Sequence, residues 1–172
     1  MHLPSITSAY LAVLALLYTV LAIQVGRLRQ RDRAAFGDNG SLALRSAIRA
    51  HANFIEYVPI ITLMVAMLEM SGLAATWVHL LMGALLVSRL LHPLGMYAAP
   101  NTLQFRIGRV GGITITLVLL LACALTILWR AAGSLALGPD AATAAEQAGL
   151  VELQRRVRFR HPLVRAAAYR AA

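Results

Sequence analysis

The chain has 172 residues, of which 59% are hydrophobic and 13% charged, a balance that excludes an ordinary soluble domain and fits a polytopic membrane protein. Its net charge of +9 comes from arginine, with no lysine. These arginines stand beside apolar runs with no nucleic-acid motif near them, so loop anchoring accounts for them and nucleic acid is not expected as a partner. The single cysteine, Cys123, excludes an intrachain disulfide and sits in an apolar run, where packing explains it.

Leu3 to Val25 carries no charge and is long enough to cross a hydrocarbon core of roughly 30 Å as a helix. Lacking a basic leader and a small-residue cleavage site, it reads as an uncleaved first span. Gly26 to Ser46 follows as a basic loop, with Arg27, Arg29, Arg31, Arg33 and Arg45 outnumbering Asp32 and Asp38 and Gly37-Asp38-Asn39-Gly40-Ser41 forming a turn by composition. A second span is expected from Leu44 to Met70, closed by Glu69, Ser71 and Gly72. A third runs from Ala74 to about Leu91, antiparallel to the second because the turn is short. His79 is read as a structural histidine within it. The stretch from Arg89 to Arg109 concentrates polar groups (Arg89, His92, Tyr97, Asn101, Gln104, Arg106, Arg109) without an acid, and Pro93, Gly95 and Pro100 break it. Val110 to Trp129 is the fourth span. Gly108 and Gly112 form a small-xxx-small pair at its start, which allows close helix approach.

Loops one and three are arginine-rich, whereas loop two holds Glu69, so the positive-inside rule places loops one and three in the cytoplasm and both termini outside. The arginines of the tail pull the other way. Residues 131–172 form an Ala- and Arg-rich tail, partly helical or disordered, after a transmembrane domain at 1–130. Its last stretch, from Val157 onward, resembles a short segment of LuxR-type ATPase regulators but has no phosphate-binding loop.

Arg49-Ala-His-Ala-Asn-Phe-Ile-Glu-Tyr-Val-Pro59 holds the polar residues of greatest interest. At about 100° per residue, Arg49, Asn53 and Glu56 share one helical face with Tyr57 beside them, while His51 points elsewhere. Pro59 removes a backbone donor just after this cluster and favours a kink. Charged groups near the bilayer centre cost roughly 2.5–3.5 kcal/mol each, so they face a partner helix, a wet cavity or a bound ligand. Two explanations stay open on the residues alone: a polar ligand site, or an Arg49–Glu56 pair that fixes the assembly. Metal binding is not expected, because His51 and Glu56 diverge by about 140° on a helix.

That stretch resembles the signature of the MAPEG family, membrane-associated proteins in eicosanoid and glutathione metabolism, and above all its small bacterial members. The Arg-rich first loop, Arg89-Leu-Leu-His92 and Arg109-Val-Gly-Gly-Ile-Thr agree with it. The resemblance implies an all-α integral membrane protein, a four-helix transmembrane bundle assembling as a homotrimer in a bacterial inner membrane. It implies a glutathione-dependent transferase or peroxidase acting on a lipophilic small molecule, with glutathione or another low-molecular-weight thiol as co-substrate. A non-enzymatic lipid-binding or scaffold protein of the same fold is the alternative. Positions matching Arg49, Asn53, Glu56 and Tyr57 would hold the tripeptide, and His51 would contribute from the adjacent subunit. Tyr97 matches a ligand-site tyrosine, and either Arg109 or Arg106 would stabilise the thiolate.

Overall fold

The structure, a computed structural model, describes residues 3–135, 151–153 and 157–159. Contacts divide the chain into two compact units, Met1–Ile127 and Leu128–Ala172. In the first, α1 (Ser5–Arg31), α2 (Leu42–Met70) and α3 (Ala75–Met96) follow one another through short turns. The chain then re-enters at α4 (Leu103–Phe105), passes through a π-helical segment (Arg106–Gly111) and continues as α5 (Gly112–Leu135). Among the described residues, four stretches are long and apolar enough to span a membrane, the last being Leu103–Ser134.

The helices bury narrow stripes. On α2 these are Leu44, Ala47, Phe54, Val58, Ile61, Val65 and Leu68, and on α3 Val78, Met82 and Leu85. That three-and-four spacing directs one face of each helix inward. Leu14 of α1 and Leu119 and Cys123 of α5 complete the same core. The other faces carry exposed Leu16, Val20, Leu63, Leu80, Val118, Leu121 and Leu125. An aqueous surface does not tolerate such continuous apolar area, and a bilayer favours it. The transmembrane part is therefore an all-α, four-span bundle, and the protein is an integral membrane protein.

The sequence expectations locate the spans, and the structure extends them. The first helix runs on to Arg31 rather than Val25, and α3 continues through Pro93 and Gly95 to Met96 instead of ending near Leu91. A proline in the last turn of a membrane helix is tolerated where neighbouring helices supply compensating contacts. α2 likewise continues through Pro59. The fourth span begins at Leu103, so Arg106 and Arg109 lie on a helix rather than in a loop.

In the second unit, Val151–Leu153 and Val157–Phe159 pair as antiparallel strands, with Val151 opposite Phe159. The rest of the tail, including most of the stretch that resembles LuxR-type regulators, lies outside the described residues.

Candidate functional site

Two glycines set the geometry of the arginine-rich end. A methyl group on Gly108 would stand 2.6 Å from the Gly95 Cα and 2.9 Å from the Leu91 carbonyl oxygen. One on Gly112 would meet the His92 Cβ and the Ser88 carbonyl oxygen at 3.1 Å. The π-helical segment and the start of α5 thus lie main chain against main chain on α3, and the Gly108–Gly112 pair is the reason they can. A π-helical stretch within an α-helix often marks a functional position, because the extra residue per turn re-aims side chains.

Arg89 is drawn into this contact. Its side chain is 1% exposed, yet no carboxylate among the described residues pairs with it. Neutral oxygens from three helices solvate it instead. Nη1 donates to the Asn53 Oδ1 at 2.7 Å and to the Asn53 carbonyl at 3.3 Å, Nε donates to the Ser88 Oγ at 3.2 Å, and Nη2 donates to the Thr116 Oγ1. Tyr57 lies within electrostatic reach of Arg89. His92, one turn further along α3, is 5% exposed and its Nδ1 has no hydrogen-bond partner. The charges of Arg89, Arg109 and Arg49 all reach His92, so arginines from α2, α3 and the π-helical segment converge on one locality.

Of the residues singled out in the sequence, Asn53 belongs to this network directly and Tyr57 lies beside it. Arg49 and Glu56 are exposed and make no ion pair with each other. Their intrahelical pairing is therefore not a feature of the chain as folded. His51 turns toward α1, stacked on Tyr18 with ring centroids 4.8 Å apart. Tyr97 caps α3 and is exposed. Arg106 is exposed, and Arg109 holds its guanidinium 5.3 Å from the centre of the Phe105 ring, a cation–π contact. Arg89 and His92 stand in the polar stretch of residues 89–109, but neither they nor Thr116 carry a site role in the sequence reading. Arg89, the one residue of the Asp, Glu, Lys and Arg types in this 22-residue helix, is the available signal.

The basic first loop is organised by its own arginines. Arg29 donates from Nη1 to the carbonyls of Ala34, Ala35 and Gly37 at 3.2–3.3 Å. Arg31 meets Asp32 at 2.6 Å, and Arg45 pairs with Asp38. Hydrogen bonds from Arg31 and Ser41 hold Asp32 below the usual carboxylate range. Those from Arg45 and the Gly40 amide do the same for Asp38.

A groove of about 650 Å³ runs between α1 and α2, lined by Leu11, Leu14, Tyr18, Phe54, Val58 and Pro59 among others. It is almost wholly apolar, and Phe54 joins it to the helix that carries Asn53.

The MAPEG family model matches residues 7–129. The chain is also similar to the inner membrane protein YecN of Escherichia coli, in strain K12 and in an O6:H1 strain. Identity is 38% over 125 residues, covering 72% of this chain and 91% of each relative. With the family match covering most of the chain and four membrane-spanning helices in place, the protein belongs to the MAPEG family.

Proposed function

We propose that this protein is an inner-membrane, thiol-dependent transferase or peroxidase that takes glutathione from the aqueous side and a lipophilic electrophile from the bilayer. One observation carries the proposal: arginines from three helices gather at one end of the bundle, and no carboxylate of the described residues pairs with Arg49, Arg89, Arg106 or Arg109. So much uncompensated positive charge next to hydrocarbon is costly unless an anion completes it. A tripeptide with two carboxylates and one amine suits that charge, with exposed Glu56 accepting from the amine.

Arg49 takes a ligand carboxylate in fork geometry. Asn53 and Tyr57 hold the peptide part, and Tyr97 borders it. Arg109 or Arg106 stands beside the sulfur. A thiol of this kind has a pKa of about 8.5 and reacts as its thiolate. A permanently cationic guanidinium favours the thiolate electrostatically, and the proton leaves to water. In the transferase reaction, the sulfur lone pair forms a bond to the electrophilic carbon as the leaving group departs. The apolar groove between α1 and α2 suits the lipophilic partner. The copies assemble as a homotrimer, with loops one and three in the cytoplasm and His51 reaching the site of a neighbouring subunit.

Calorimetric titration of glutathione into the detergent-solubilised protein tests this. Saturable binding in the wild type that drops at least tenfold in Arg49→Ala is the expected outcome. Equal affinity in both would remove Arg49 from the site. Absence of binding with an intact assembly would turn attention to another thiol or to the lipid-binding alternative.

A further inference from the structure

Asn53 carries one acceptor oxygen and one donor nitrogen on its side chain, and what it offers a ligand depends on which way the amide faces. Its surroundings decide this. Arg89 has five N–H donors and no acceptor, so the Asn53 oxygen must be the atom 2.7 Å from its Nη1. The opposite orientation would set donor against donor beside a buried cation. The rest of the network leaves Arg89 no freedom to turn away. The Ser88 hydroxyl donates to the Leu85 carbonyl at 2.7 Å and the Thr116 hydroxyl to the Gly112 carbonyl at 2.8 Å. Both hydroxyl oxygens are thereby left as acceptors for Nε and Nη2. The guanidinium is pinned on three sides, and the Asn53 amide is pinned by the guanidinium.

The planar amide then directs its Nδ2 away from Arg89. That nitrogen has no acceptor among the described residues. It is also not sealed in, since His92 Nδ1 is the buried side-chain polar atom left without a partner there. A free, half-exposed N–H₂ group next to Arg49 and Tyr57 is an outward-facing donor.

We infer that Arg89 is a positioning residue: it locks Asn53 with its oxygen inward, so that Asn53 meets the ligand solely as a donor. This rests on the proposal that a thiol tripeptide binds at the Arg49–Tyr57 cluster, and it narrows how. The group facing Asn53 is an acceptor, a peptide carbonyl or carboxylate, and not an N–H. Ligands that place an amine or amide N–H there are rejected, because binding would cover a donor with a donor and leave both without a hydrogen bond.

Asn53→Asp is the decisive variant, with Asn53→Ala, Arg89→Lys and Arg49→Ala beside it, all in the full chain. Each is titrated with glutathione and melted in the same detergent. The aspartate keeps an oxygen on Arg89 and gives that cation a counter-ion, so the melting temperature should equal or exceed that of the wild type. It also turns an acceptor toward the ligand, and glutathione affinity should fall at least tenfold. Arg89→Lys, with one donor centre in place of a fork, should weaken binding three- to tenfold. In the Arg89→Lys/Asn53→Asp double variant the two losses should not add. Wild-type affinity in Asn53→Asp overturns the inference, as does a melting temperature lowered as far as in Asn53→Ala. If wild type does not bind glutathione, or Arg49→Ala binds as well as wild type, the tripeptide proposal fails. The melting comparison then still decides whether Arg89 holds Asn53.

Discussion

The two ends of the bundle treat charge in opposite ways. Where α1 begins and α2 finishes, the Glu69 carboxylate accepts from the backbone amides of Ile6 and Thr7 at 2.9 Å and from the Thr7 hydroxyl at 2.6 Å. It caps α1 from a neighbouring helix, because Pro4, the residue at the cap position, supplies no side-chain hydrogen bond. Free N–H groups and a partial positive charge at a helix start make that the natural place for an acid. Tyr10 and His79 meet nearby at 3.3 Å. At the other end Arg49, Arg106 and Arg109 have no ion pair among the described residues, Arg89 is solvated by neutral oxygens, and His92 keeps an unpartnered nitrogen. Charges that complete a fold find partners within the chain. Charges left without them at a membrane protein's polar end are the ones available to something else.

The largest expected effect comes from closing the space at the arginine end. Gly108→Ala puts a methyl group 2.6 Å from the Gly95 main chain, and no flexible side chain can yield there. The contact must open, at a cost of at least the roughly 1–3 kcal/mol of an overpacked core. As α3 and α5 part, Thr116 leaves Arg89. A steep fall in melting temperature together with loss of glutathione binding is expected. Near-wild-type melting with binding intact would mean that the helices do not need this approach.

Glu69→Gln tests the opposite end and should separate the two. The amide retains one acceptor where the carboxylate served three donors, and it gives up the charge that suits a helix start. The loss should be about 1 kcal/mol, in the range of a deleted helix cap. Thermal melting would show it, while glutathione affinity stays at the wild-type value. A binding defect in this variant would break the division into a structural end and a ligand end.

Much of the fold was legible because hydrophobic runs of membrane length admit few alternatives, and the four spans stand near their expected places. The helix ends were not. Pro93 and Gly95 look like breakers in isolation, yet Gly95 is where α3 meets Gly108, and that packing keeps the last turn helical. The Gly108–Gly112 spacing was readable, and its partner surface on α3 was not, since spacing along one helix does not say which neighbour fills it. The Arg49–Tyr57 stretch stood out as a cluster. Arg89 is legible as the first of the polar groups between residues 89 and 109, but its hydrogen bonds to Asn53, Ser88 and Thr116 are not, because a charge in an apolar run shows its partners only when the helices are brought together. His51 reads as a ligand-site residue by resemblance, while within the chain it stacks on Tyr18.

The smallest effect is expected in the first loop, and it sharpens the comparison from within the basic end. Arg31 and Arg45 differ from Arg49, Arg106 and Arg109 in having acids beside them. Asp38, held by Arg45 and the Gly40 amide, ionises more readily in the folded loop than in an open chain. The fold therefore favours its charged form. That contribution is fully present above the ordinary aspartate value of about 3.9, and it is lost as pH falls through the lower folded value. Asp32 acts in the same direction. Both pairs lie in a surface loop with their arginines exposed, where screening keeps such pairs weak, so acid should loosen the loop and leave the helices standing. Relative to the intrinsic exchange rate at each pH, the amides of residues 33–41 should be less protected at pH 3 than at pH 6. Asp38→Asn should exchange faster at pH 6 and lose part of the pH response. If acid instead lowered the melting of the whole bundle while the loop amides stayed protected, the loop pairs would be holding the helices together. The arginines paired there would then belong with Glu69 among the charges that complete the fold.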